Sequence, residues 1–169
     1  ENTLSLQKLI EDLLRYHQTR AVEPATVGPV HLPDVVRRVL REHKLAAFAR
    51  MVTFEQQLEP VQVSGEADKV RTIVDNLVSN AIRYTPDGGT ITLGWAVDEE
   101  GRGAFSVADT GIGIAAEHIP RLTERFYRVD RSRSRATGGT GLGLAIVKHV
   151  LLRHQAELDA KPNSFFNLS

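Results

Sequence analysis

The stretch Glu66–Tyr84, EADKVRTIVDNLVSNAIRY, limits the possible folds more than any other part of the chain. Val70, Ile73, Val74, Leu77, Val78 and Ala81 recur with the period of a helix and form one buried stripe. Such a helix must lie against a second layer. Asn76, Asn80 and Arg83, at i, i+4 and i+7, form a neighbouring polar stripe, and the segment stops at Pro86-Asp87-Gly88-Gly89. Asparagine is a poor helix former because its amide competes for nearby backbone groups, so the pair carries a cost that something else must offset. Amide oxygens are hard ligands suited to magnesium, which takes few protein groups and fills its shell with phosphate and water. Arg83 would add a fixed positive charge for phosphate oxygens. A solvated polar flank is the structural alternative.

Other elements are legible around this helix. Leu6, Leu9, Ile10, Leu13 and Leu14 recur at helical spacing in a narrow stripe, as in a helix that pairs with other helices. RAVEPATVGPV, residues 20–30, has two prolines and a glycine and reads as a linker. HLPDVVRRVLREHKLAAFA follows as a helix, with Pro33 suited to its first turn. MVTFEQQ and VQVSG read as short strands either side of a turn at Pro60, and ITLGWAVDEEGRGAFSVAD reads as a hairpin. Helices between antiparallel strands predict an α+β two-layer sandwich, not a doubly wound parallel sheet.

Two glycine-rich stretches could carry chemistry. In DTGIGI, residues 109–114, Gly111 and Gly113 allow backbone to approach a ligand closely. Asp109, at a strand end, could accept a hydrogen bond from an exocyclic amine. GGTGLGLAIVKHV, from Gly138, runs a glycine-rich loop into a helix N-terminus, where free N–H groups and the positive end of the helix dipole suit a phosphate. It lacks the Gly-Lys-Ser/Thr ending of a P-loop and is not a dinucleotide fingerprint. Taken singly, the first reads sooner as a glycine-rich turn, and the second equally as a flexible loop with a helix cap.

Composition narrows the field. Over 169 residues, Lys+Arg and Asp+Glu balance at 21 each, so no global basic field points to nucleic acid or an anionic membrane. Cysteine is absent, which excludes disulfides and thiolate metal sites. No apolar run approaches the roughly 20 residues that span a bilayer. The opening ENTLSLQKL has neither a signal peptide nor an initiator Met and reads as a piece of something longer.

In this order and spacing the motifs are far more specific than any one of them. NLVSNAIRYTP resembles the N box of two-component sensor histidine kinases, DTGIGI their first glycine box, ERFYRVDRS (residues 124–132) their F box, and GGTGLGLAIVKHV their second glycine box. The resemblance covers about residues 30–155. It implies the fold shared with gyrase, MutL and heat-shock chaperones: a mixed, largely antiparallel sheet layered on three helices, with ATP under a mobile lid. On this reading residues 1–19 are the end of a dimerisation-bundle helix, 20–30 a linker and 31–169 the catalytic ATP-binding domain.

The resemblance also implies residue roles. Asp109 binds the adenine amine, and Gly113 and Ile114 line the base pocket. Asn80 reaches magnesium, with Asn76 on magnesium or phosphate. Arg83 and Tyr84 lie along the phosphates and sugar. Gly139, Thr140, Gly141, Leu142 and Gly143 cradle the phosphates. Residues 124–140 form the lid, with Phe126 as its apolar anchor. The implied activity is transfer of the γ-phosphoryl group of Mg-ATP to a histidine on the dimerisation domain, then to an aspartate of a response-regulator receiver domain. The implied setting is the cytoplasmic part of a membrane-bound bacterial sensor, homodimeric at full length.

Two departures stand out. The family's closing Gly-x-Gly-Thr loop is replaced by HQAELDAKPNSFFNLS, where only Ser164-Phe165-Phe166 resembles it. The phosphoacceptor context, a histidine followed by an acidic residue and soon a proline, fits none of the 6 histidines, which read as structural or surface groups. The substrate histidine is therefore expected upstream. The rival class is an ATPase switch of the gyrase or MutL kind. Those relatives carry a glutamate where this chain has Asn76, and a neutral amide cannot take a proton from water.

Overall fold

The computed structural model describes residues 8–10, 12–14, 27–97, 99–111, 113–129, 140–153, 156, 158–161 and 165–168. Residues 8–10 and 12–14 are helical. The order continues β1 (Gly28–His31), α1 (Leu32–Glu42), α2 (Lys44–Ala49), β2 (Thr53–Gln57), β3 (Gln62–Gly65) and α3 (Ala67–Tyr84). Then come β4 (Thr90–Val97), β5 (Gly103–Asp109), a 3-10 turn (Ile119–Arg121), α4 (Gly143–Arg153), β6 (Leu158–Lys161) and β7 (Phe165–Leu168).

The main sheet has five strands in the order β2-β4-β5-β7-β6. β2 and β4 are parallel, and the other pairs are antiparallel. The sheet is mixed and largely antiparallel, as the motifs imply. In the hairpin, Ile91 faces Asp109 and Val97 faces Gly103. Alternation puts Ile91, Leu93, Phe105 and Val107 on one buried face. Helices α1, α3 and α4 cover that face through Val36, Val39, Val74, Leu77, Val78, Ile146, Val147 and Val150, all at most 1% exposed. This is a two-layer α+β sandwich.

Three local features differ from the sequence reading. Gly28–Val30, expected in the linker, belong to β1, which pairs antiparallel with β3 in a separate two-stranded sheet. Pro29 disguises this strand, yet proline is tolerated where a ladder bond is not needed. The helix expected through Ala49 breaks at His43 (φ −92°, ψ 4°), which separates α1 from the short α2. The strands either side of Pro60 lie in different sheets, β2 in the main one and β3 in the small one. The closing strand forms: β7 pairs with β5, where Val107 faces Phe166.

Candidate functional site

The end of α3 is held by several independent contacts. The buried Thr85 hydroxyl donates to the Ala81 carbonyl at 2.6 Å, and its amide does so at 2.9 Å. The Arg50 guanidinium donates to the Ile82 carbonyl, to that of Arg83 at 3.0 Å, and to the Asp87 carboxylate at 3.1 Å. A cation on the last carbonyls of a helix satisfies orphan acceptors and complements the helix dipole. The next turn closes from the Gly89 amide to the Pro86 carbonyl at 2.9 Å. Thr90 and Thr110 then exchange two hydrogen bonds, at 3.0 and 3.1 Å. The polar stripe of α3 is thus tied to the DTGIGI loop.

Asp109 and Gly111 lie together at the end of β5. The Gly111 amide donates to Asp109 Oδ1 at 2.7 Å. A Cβ at Gly111 would stand 2.8 Å from the Tyr84 carbonyl oxygen, so only glycine allows this approach. Gly113 has a φ of +77°, and Ile114 packs on the core. Tyr84 is exposed.

Asn76 is held at the nitrogen end of its amide. Its Nδ2 donates to the Thr72 carbonyl at 2.8 Å. Its Oδ1 would lie 3.1 Å from a Cβ at Gly143, the first residue of α4. The side chain therefore presents its oxygen toward the N-terminus of α4. Asn80 is half-buried one turn further on. Arg83 is also half-buried, and burial holds its guanidinium below the ordinary arginine range. Tyr84 acts in the opposite direction, Arg128 lowers it further, and Asp12 raises it.

Phe126 and Gly141 join the F box to the second glycine box. The Phe126 amide donates to the Gly141 carbonyl at 3.0 Å. The Phe126 ring is 52% exposed, and the tie between the two segments is made by backbone. Leu142 is fully buried in the core, which leaves only its backbone for a ligand. The Thr140 hydroxyl donates to Asp12 Oδ2 of the first helix. Residues 130–139 of the expected lid, Gly139 among them, lie outside the described residues.

Sequence reasoning did not find the partners of four further side chains. Arg50 lies 32 and 33 residues from the carbonyls it holds, so no local pattern points to it. His118 Nδ1 lies 2.5 Å from the Tyr127 hydroxyl, and the Arg121 guanidinium sits 4.3 Å above the Tyr127 ring. Together they brace the segment between DTGIGI and Phe126. His43 Nε2 lies 2.7 Å from Asp75 Oδ1 and pins the α1–α2 break to α3. Among the described residues, no group of three or more His, Cys, Asp or Glu side chains is arranged for a metal ion. Among them, no helix is long and apolar enough to cross a membrane.

Known proteins share this arrangement. The family of histidine kinase-, DNA gyrase B- and HSP90-like ATPases matches residues 65–167. The phosphate regulon sensor protein PhoR of Pseudomonas aeruginosa is 45% identical over 156 residues, covering 91% of this chain and 35% of that protein. The chain thus spans about a third of that relative's length. Among solved structures, the mycobacterial sensor histidine kinase MprB is 28% identical with a TM-score of 0.68, over 83% of this chain and 93% of that one. Full-length ShkA in complex with AMPPNP is 25% identical with a TM-score of 0.77, over 96% of this chain and 35% of that one. The chain belongs to the family of histidine kinase-, DNA gyrase B- and HSP90-like ATPases.

Proposed function

We propose that this chain is the catalytic part of a sensor histidine kinase, which binds Mg-ATP and presents it to a histidine of a dimerisation domain. The carrying observation is the close approach of Asn76, on the polar stripe of α3, to Gly143 at the start of α4. A Cβ at Gly141 or Gly143 would meet protein atoms at 2.8 and 3.1 Å, so these positions are kept bare where backbone N–H groups can face a phosphate chain. The likeness to ShkA, solved in complex with AMPPNP, supports a nucleotide ligand.

When bound, Mg-ATP supplies the γ-phosphoryl group, with the metal neutralising charge on its oxygens. Asp109 accepts a hydrogen bond from the adenine amine, and Gly113 and Ile114 line the base. Asn80 and Asn76 offer amide oxygens to the metal, which suits a hard cation that keeps water and phosphate as its other ligands. Arg83 supplies fixed charge, and with Tyr84 it lines the phosphates and sugar. Thr140, Gly141, Leu142 and Gly143 face the phosphates with backbone N–H groups and one hydroxyl. Residues 124–140 exclude water as a lid. The chain's own work is positioning and charge neutralisation, the main sources of catalysis in phosphoryl transfer. The attacking imidazole is already a nucleophile, so no general base is needed beside Asn76.

The assembly we propose is a homodimeric, membrane-bound sensor with this part in the cytoplasm, residues 1–19 in the dimerisation helix and a receiver-domain aspartate as final acceptor. The test is transfer in trans. The chain is mixed with γ-labelled ATP, magnesium and a separately produced dimerisation domain carrying its histidine. Acid-labile label on that histidine is expected. Complete absence of label, with ATP bound, would reject the kinase reading.

A further inference from the structure

The first helix makes a contact that the proposed reaction does not use. Leu9 and Leu13 pack against the core of the domain, while Ile10 and Leu14 on the same helix are 49% and 55% exposed. Between them, Asp12 accepts a hydrogen bond from the Thr140 hydroxyl in the second glycine box. The same carboxylate acts electrostatically on Arg83, in the direction of an attractive pair. A carboxylate on a loop hydroxyl and near a half-buried guanidinium satisfies the groups that would otherwise meet a phosphate oxygen.

We propose that Asp12 is an internal competitor for the phosphate subsite, so that nucleotide binding and docking of the first helix oppose each other. The inference rests on the nucleotide reading above. With the helix docked, Thr140 is occupied and an anion stands where phosphate oxygens must come. Entry of the triphosphate releases Asp12, and with it a polar tie that adds to the packing of Leu9 and Leu13 in holding the helix. The apparent affinity for ATP is then reduced by the fraction of molecules with the helix docked. By linkage, anything that pulls the first helix away raises affinity by the same factor.

The experiment uses the whole 169-residue chain, with Asp12→Asn and Asp12→Ala beside the parent. Calorimetry measures Mg-ATP and, as a probe without phosphates, adenosine. Hydrogen exchange follows residues 8–14 with and without ATP. Both variants should bind Mg-ATP about threefold to tenfold more tightly, the scale of one net hydrogen bond. Adenosine should bind parent and variants alike, and saturating ATP should speed exchange in the first helix of the parent. Unchanged or weaker ATP binding in both variants overturns the competition while leaving the nucleotide reading intact; weaker binding would make Asp12 a positioning residue for Thr140. Failure of parent and variants to bind either ATP or adenosine overturns the nucleotide reading, and the competition falls with it.

Discussion

Phe126 and Gly141 meet backbone to backbone, and both have positive φ, at 62° and 76°. A Cβ on Gly141 would stand 2.8 Å from the Phe126 Cα. The second glycine box and the F box therefore share one strained junction, and the non-glycine partner bears a left-handed conformation that costs roughly 1–2 kcal/mol.

Gly141→Ala should disturb that junction on both counts. Mg-ATP affinity should fall at least about tenfold, equivalent to about 1.4 kcal/mol. The melting temperature should drop by about 2–8 °C, as expected for a local cost of about 1–2 kcal/mol in a domain of this size. Calorimetry and a thermal melt check both. Normal ATP affinity would mean the loop does not depend on this junction.

How far the sequence led depends on whether a partner was local. The α3 stripe, the β4–β5 hairpin and the glycine positions follow from periodicity and turn chemistry, which act over a few residues. The approach of Asn76 to Gly143 follows from the resemblance of whole motifs, not from either residue alone. The grip of Arg50 on the end of α3 is a long-range contact with no periodic trace. β1 was hidden because Gly28 and Pro29 carry turn signals, and its partner β3 lies beyond α1 and β2. The exposure of the Phe126 ring is a tertiary fact, since an aromatic residue in a motif reads as an anchor whichever way it points.

Arg50→Ala should loosen the end of α3 without emptying the core. Loss of hydrogen bonds from a charged donor to two helix carbonyls should cost about 1–3 kcal/mol. Arg50→Lys should recover part of this, because an ammonium supplies charge but not the planar fork. Denaturant unfolding of the three proteins gives the order. Equal midpoints would show that the capping contacts are inert.

Asp109→Asn should weaken ATP and ADP alike, because the proposed contact is to adenine and not to phosphate. A charge-assisted hydrogen bond is worth about 1.5–3 kcal/mol, so the loss should be about tenfold or more. Titration of both nucleotides decides it, and a loss confined to ATP would move Asp109 to the phosphate end.

Asn80→Ala should reduce the gain in ATP affinity that magnesium confers, since one oxygen ligand is lost. Folding should be retained, because alanine is the better helix former. Removal of magnesium with a chelator should then affect the variant less than the parent. Full magnesium dependence in the variant would exclude Asn80 as a ligand.

The central claim is that the γ-phosphoryl group goes to a histidine and not to water, because Asn76 offers an amide where hydrolytic relatives are expected to place a carboxylate. The most direct measurement is the partition of γ-phosphate, at saturating Mg-ATP, between free phosphate and a separately supplied dimerisation domain. The parent should label the histidine and release phosphate very slowly when that domain is left out. Asn76→Glu should release phosphate faster, toward the low end of the roughly 10²–10⁴-fold that a general base contributes, and should label the histidine less. Rapid turnover of ATP by the parent with no histidine present would contradict the account and make the chain an ATPase switch.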